Sequence, residues 1–136
     1  MNPVVQDEKT GCGIASVAAL ASVSYARAKA QAARLGISAE DPKLWSDTKY
    51  VRTLLGKFGL STSGKKRNFH SWERLPDLAL LAIKWHLEKG KPYWHWVVFV
   101  REEESNYVLD PKKTLKKNKR TDFGRMKPKW FIEVYA

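Results

Sequence analysis

A single cysteine, Cys12, in 136 residues excludes an internal disulfide framework and any cysteine-rich zinc site. A free thiol fits a reducing compartment, and the expected location is cytoplasmic. Long apolar runs are missing too. Nothing approaches the roughly 18 apolar residues needed to span a bilayer. The opening segment Met1–Lys9 has no basic stretch followed by an apolar one, so neither a membrane anchor nor a signal peptide is expected. Acidic residues are scarce, 14 Asp and Glu against 25 Lys and Arg, for a net charge of +11. Such a surface attracts polyanions or steers acidic substrates, and bears on partners more than on fold. Repeats, linkers and low-complexity tracts are absent apart from a basic stretch at 112–120.

What is present suits one globular domain over residues 1–136, with 43% hydrophobic and 29% charged residues. Residues 12–22 are mostly Ala, Ile, Val and Leu, which predicts a buried helix of small residues. A second helix is expected from Ser24, a suitable N-cap, to Leu35 before Gly36. A third is expected from about Leu44 to Phe58 on the helical spacing of Leu44, Val51, Leu54, Leu55 and Phe58. From Leu60 the pattern changes to short runs bounded by turns. Leu78–Ile83 reads as a buried strand, with a short helix as the alternative, and His95–Val100, Asn106–Asp110 and Trp130–Tyr135 read as strands. Helices first and strands second imply an α+β domain.

Cys12 sits between Gly11 and Gly13 where the first helix begins. A thiol attacks a carbonyl only as thiolate, so it needs a base or a stabilising field beside it. The first turn of a helix favours an anion through the helix dipole. Gly11 and Gly13 are expected to leave room for a substrate backbone and to free N–H groups for an oxyanion. Gln6, six positions before Cys12, is a candidate side-chain donor to the same oxyanion. Taken alone, a cysteine among Ala and Ile is ordinarily a small core hydrophobe.

The downstream residues change that balance. Strand alternation puts His95, Val97 and Phe99 on one face, with Trp94, Trp96, Val98 and Val100 on the other. The polar segment Glu102–Asn106 joins this strand to the next, which closes on Asp110. On paired antiparallel strands, the start of the first and the end of the second lie side by side. Asp110 is therefore expected beside His95, where a carboxylate fixes the imidazole tautomer and stabilises its charged form. The blander roles are a structural histidine and a turn-initiating Asp-Pro. His70 and His86 read as surface residues.

Six tryptophans and the lysines after Asp110 raise nucleic-acid binding, but charge is the sole footprint and no recognised motif accompanies it. Trp85, Trp96 and Trp130 read as core. The 112–120 loop alternatively borders a cleft and recruits an acidic peptide or protein. Trp94, next to His95, is the candidate aromatic cleft wall.

The order Gln6…Cys12-Gly13, a small-residue helix, His95-Trp-Val-Val and Leu109-Asp110-Pro111 resembles the papain-like cysteine peptidases, with the C39-like, bacteriocin-leader-processing branch nearest. The resemblance spans roughly residues 3–135. It implies a helical lobe carrying Cys12 packed on an antiparallel sheet carrying His95 and Asp110. It also implies a nucleophile (Cys12), a general base (His95), an orienting acid (Asp110) and an oxyanion-hole glutamine (Gln6); Gly11, Gly13 and Trp94 are the substrate-binding positions expected from the residues themselves. No metal and no organic cofactor is expected, and the expected state is a monomer acting on a peptide or protein. Ile14 stands where many relatives have proline, and the Cys12-to-His95 interval is shorter than in larger papain-type enzymes. No transporter segments are present, so a double-glycine substrate does not follow. The alternatives are a deamidase or transglutaminase-type acyl transferase on the same fold, and a non-catalytic basic module binding peptide or nucleic acid.

Overall fold

Sequence patterning explains which elements form and where they stop. The structure, a computed structural model, describes residues 1–135. Helix α1 (Cys12–Ala21) is apolar all round, and every residue from Cys12 to Leu20 is buried. A helix without a polar face belongs at the centre. Helices α2 (Tyr25–Arg34) and α3 (Lys49–Lys57) pack on it from one side, and the sheet packs on it from the other. At the start of α2 the Ser24 hydroxyl accepts a hydrogen bond from the Arg27 N–H at 3.1 Å. Past its end Gly36 takes φ +78, a conformation glycine enters at little cost.

The expected third helix is in fact two pieces. A short 3₁₀ turn covers Pro42–Ser46, and α3 begins at Lys49. Between them Asp47 is extended (φ −126, ψ 130), and its carboxylate accepts the Lys49 N–H at 2.7 Å. A short acidic side chain offers the backbone this alternative to continuing the helix.

The remaining elements are strands β1 (Ser61–Thr62), β2 (Arg67–Asn68), β3 (Leu78–Glu88), β4 (Lys91–Glu102), β5 (Ser105–Leu109), β6 (Lys119–Arg120) and β7 (Trp130–Tyr135), with a short helix α4 (Phe123–Met126) before β7. They form an antiparallel sheet in the order β1-β7-β3-β4-β5-β6, with β2 also paired to β7. Leu78–Ile83 is a strand, and the β3–β4 hairpin runs well past the apolar segments that announced it. Lys89 and Gly90 both take positive φ (52 and 80), the geometry of a tight two-residue hairpin turn. A bulge between Ile83 and His86 interrupts the hairpin, and Lys84 at the bulge has φ +54.

Both sheet faces are covered. Trp94, Trp96, Val98 and Val100 of β4 join the helix-side core, while Val97 and Phe99 meet Leu75, Met126 and partly buried Phe69 and Trp72 on the other side. This is the alternation expected from the sequence. Among the described residues no helix is long and apolar enough to cross a membrane.

Candidate active site

Strand pairing sets the centre of the site. Val98 pairs with Leu109 on β4 and β5, which carries the start of β4 past the end of β5. His95 Nε2 lies 2.7 Å from Asp110 Oδ1, and the Asp110 side chain has no exposed surface. The same oxygen accepts the Lys112 N–H at 3.0 Å. Burial raises the Asp110 carboxyl, but the His95 hydrogen bond and charge, the Lys112 N–H and Arg120 outweigh it and hold the group down at about 2. For His95, burial works against the charged ring. The hydrogen bond to Asp110 and the neighbouring Cys12 overcome it and push the imidazole up to about 9.

Cys12 is the first residue of α1, and its sulfur lies 3.5 Å from the Trp96 backbone nitrogen on β4. The helix start and the strand that carries His95 are thus in direct contact. With Nε2 committed to Asp110, Nδ1 is the ring nitrogen left free. Cys12 itself is 0% exposed. The surrounding residues enclose the sulfur.

Gln6 is buried and tied to the site by its backbone N–H, which donates to the Pro111 carbonyl at 3.0 Å. Its side-chain amide, however, does not aim at a vacant oxyanion position. Nε2 donates to the carbonyls of Glu8 at 2.8 Å and Lys9 at 3.0 Å, while Oε1 is buried without a partner. Both amide hydrogens are engaged, so a donor role requires the side chain to turn.

Gly11 and Gly13 differ from the expectation. Both are buried, and the space a Cβ would fill is taken by tyrosines rather than left for a substrate. At Gly11 the Tyr25 hydroxyl would lie 2.2 Å from it, and at Gly13 the Tyr50 hydroxyl 2.0 Å and Trp96 Cδ1 3.0 Å. These glycines let the aromatic side chains close over the helix start. Gly13→Ala is expected to cost at least about 2 kcal/mol, because Tyr50 is locked in the core and an overpacked site must shift it. Chemical denaturation measures this, and an unchanged midpoint would contradict it. Trp94 also reads differently. It is 5% exposed and packs edge-on against Trp96 and Trp130 at 5.7 and 4.8 Å, so it is mainly core with one edge in a groove. His70 and His86 are exposed.

Sequence reasoning passed over Arg120, which sits among surface lysines in the 112–120 stretch. Its Nη1 donates to Asp110 Oδ2 at 2.8 Å, while Nε and Nη2 grip Asp122 at 2.9 and 2.7 Å. Strand β6 delivers it by pairing Arg120 with Val108. The available signal was that it is the single arginine in that stretch, followed closely by an aspartate. A guanidinium forks onto two carboxylates where an ammonium makes point contacts. Arg120→Met is expected to lower stability by about 2 kcal/mol, since a buried carboxylate oxygen loses its donor. A urea titration with no change in midpoint would rule that out.

Two grooves meet at His95. One of about 520 Å³ runs between Gln6–Lys9 and the side of Lys84, Lys112, Lys113 and Thr114. The other, about 270 Å³, lies among Trp45, Lys84, His86, Glu88, Tyr93 and Trp94. An extended chain crossing His95 has room on either side. Trp94, Trp96 and Trp130 are buried, so they offer no stacking platform to bases.

A family model described as the peptidase C39 family matches residues 1–130. Among solved structures, the chain is similar to a double-glycine-motif protease from an AMS/PCAT transporter in complex with the leader peptide. The match has TM-score 0.60 and 18% identity, and covers 98% of this chain and 89% of that one. No curated protein matches the chain.

Proposed function

This chain belongs to the peptidase C39 family and is a cysteine peptidase, and from that premise we propose that it cleaves peptide bonds through Cys12, His95 and Asp110 by way of a thioester. The observation that carries the reading is the 2.7 Å His95–Asp110 contact, made on a histidine that also neighbours the sulfur at the start of α1.

His95 takes the thiol proton at Nδ1, giving the charged ring that the site favours, and the sulfur then bonds to the scissile carbonyl carbon. The developing oxyanion is met by the Cys12 N–H, which as a first-turn helix donor has no intrahelical partner. His95, now charged, returns the proton to the departing amine as the C–N bond breaks and the thioester forms. Water then attacks the thioester with His95 as base, releasing the acid and restoring the thiol. Asp110 holds the ring and balances its charge throughout. Gln6 joins as a second oxyanion donor once its amide turns from the Glu8 and Lys9 carbonyls.

The similar transporter protease is in complex with a leader peptide, which supports a peptide as the substrate here. The thioester is the point to test. A synthetic peptide library digested with added hydroxylamine is expected to yield new C-termini as hydroxamates, because the amine intercepts the acyl-enzyme. Cleavage giving carboxylic acids alone at every hydroxylamine concentration would sink the thioester route.

A further inference from the structure

The larger groove is electrically lopsided beside His95. Four cations, Lys9, Lys84, Lys112 and Lys113, line it against two carboxylates, Glu8 and the exposed Asp7, and among the described residues none of Lys84, Lys112 and Lys113 has a carboxylate within ion-pairing distance. On the opposite wall the Glu8 carboxylate is already engaged, by the Tyr25 hydroxyl and the Lys29 ammonium.

Lys84 is there by construction. It occupies the β3 bulge in a left-handed conformation that a side-chain-bearing residue enters at a cost. The His86 ring, stacked on Tyr93, fixes the bulge by bonding the Lys84 carbonyl at 2.8 Å. Bulges of this kind re-aim a side chain next to a site. The result is a lysine that lines both grooves where they meet at His95. Partial burial and the adjacent Lys112 lower the Lys84 ammonium from its ordinary range, and the more distant Asp110 carboxylate, itself bound to His95 and Arg120, offsets only part of this.

We propose that Lys84 and Lys112 form an anion subsite that selects peptides with an aspartate or glutamate side chain within two residues of the scissile bond. The distance limit follows from chain geometry. A strand advances about 3.4 Å per residue, and Lys84 borders the groove beside His95 itself. The carboxylate enters between the two ammonium groups and relieves their mutual repulsion. This subsite rests on the peptidase reading above, and its test keeps the two apart.

The first measurement needs no turnover. Wild-type protein is titrated by NMR with N-acetyl-glutamate N-methylamide and with the glutamine analogue, following the His95 ring and Lys84 side-chain signals. The glutamate compound is expected to bind at least about fivefold tighter, the difference vanishing in Lys84→Gln/Lys112→Gln protein. Equal binding of the two compounds, or a preference that survives the double substitution, overturns the subsite whatever the enzyme cleaves.

The second measurement sequences the products of a randomised dodecapeptide library. Asp and Glu are expected to be enriched at least about tenfold within two residues of the cut, with the acid-to-amide ratio falling toward one in the double variant. Enrichment spread evenly along the peptide would mean long-range steering by the net charge, and would also overturn the subsite. A library left uncut with the titration positive defeats the peptidase reading while leaving the anion site standing.

Discussion

Cys12→Ala protein is expected to lose at least about 10⁴-fold in kcat/KM and to keep its fold. The substitution removes one sulfur from a filled site beside the Trp96 N–H, so its stability cost is of order 1 kcal/mol. Activity and stability thereby separate. Initial rates on any peptide recovered from the library give the first quantity, and a urea titration gives the second. His95→Ala is expected to cost a comparable factor, and the double variant to be little worse than either single one. Groups that act as a unit fail together. A loss below about tenfold on Cys12→Ala would take the thiol out of the reaction.

Asp110→Asn is expected to move the alkaline limb of the pH–rate profile down from near 9. The carboxylate, with the neighbouring Cys12, holds the His95 ring charged against burial. Without it the ring drops toward its ordinary value, and at pH 8 the charged form that protonates the leaving amine falls by about 30-fold. Stability follows the same group. The raised His95 contributes fully below its unfolded value of 6.5, and that contribution disappears as pH rises through about 9. The lowered Asp110 contributes above its unfolded value of 3.8, and that contribution disappears as pH falls through about 2. The wild-type midpoint in urea should therefore plateau between about pH 4 and 6.5 and decline on the alkaline side, where Asp110→Asn should be flatter. The variant should also be less stable by a few kcal/mol at pH 6, because a buried charge loses its partner. An alkaline limb that stays in place would mean that Asp110 does not govern His95.

Much of this arrangement was legible because local signals pointed the same way. Ser24 and Gly36 bracket α2, and the alternation from Trp94 to Val100 sorts side chains to the correct sheet faces. Strand pairing follows from the polar turn after Glu102, and that pairing brings His95 to Asp110. The failures occur where a long-range or side-chain effect overrides the pattern. Asp47 breaks a helix whose apolar spacing continues through it. The extension of β3 and β4 depends on the Lys89–Gly90 turn, and its Trp85, Leu87 and Tyr93 are interspersed with charged residues and Pro92. Gly11 and Gly13 had a reading based on substrate access, but the space beside them belongs to Tyr25 and Tyr50, which arrive from elsewhere in the chain. Gln6 lies at the expected place with its amide turned away, a rotamer that no sequence pattern encodes. Arg120 was hidden by its neighbours, since its role comes from β6 pairing rather than from composition.

The sulfur of Cys12 lies beneath the surface of the site, on a residue with no exposed area. Peroxides and other oxidants act on thiols they can touch, carrying them through sulfenic to irreversible sulfinic and sulfonic acids. On the proposed mechanism, a thiol enclosed in this way meets such oxidants where a bound peptide uncovers it, and burial shields it in the free protein.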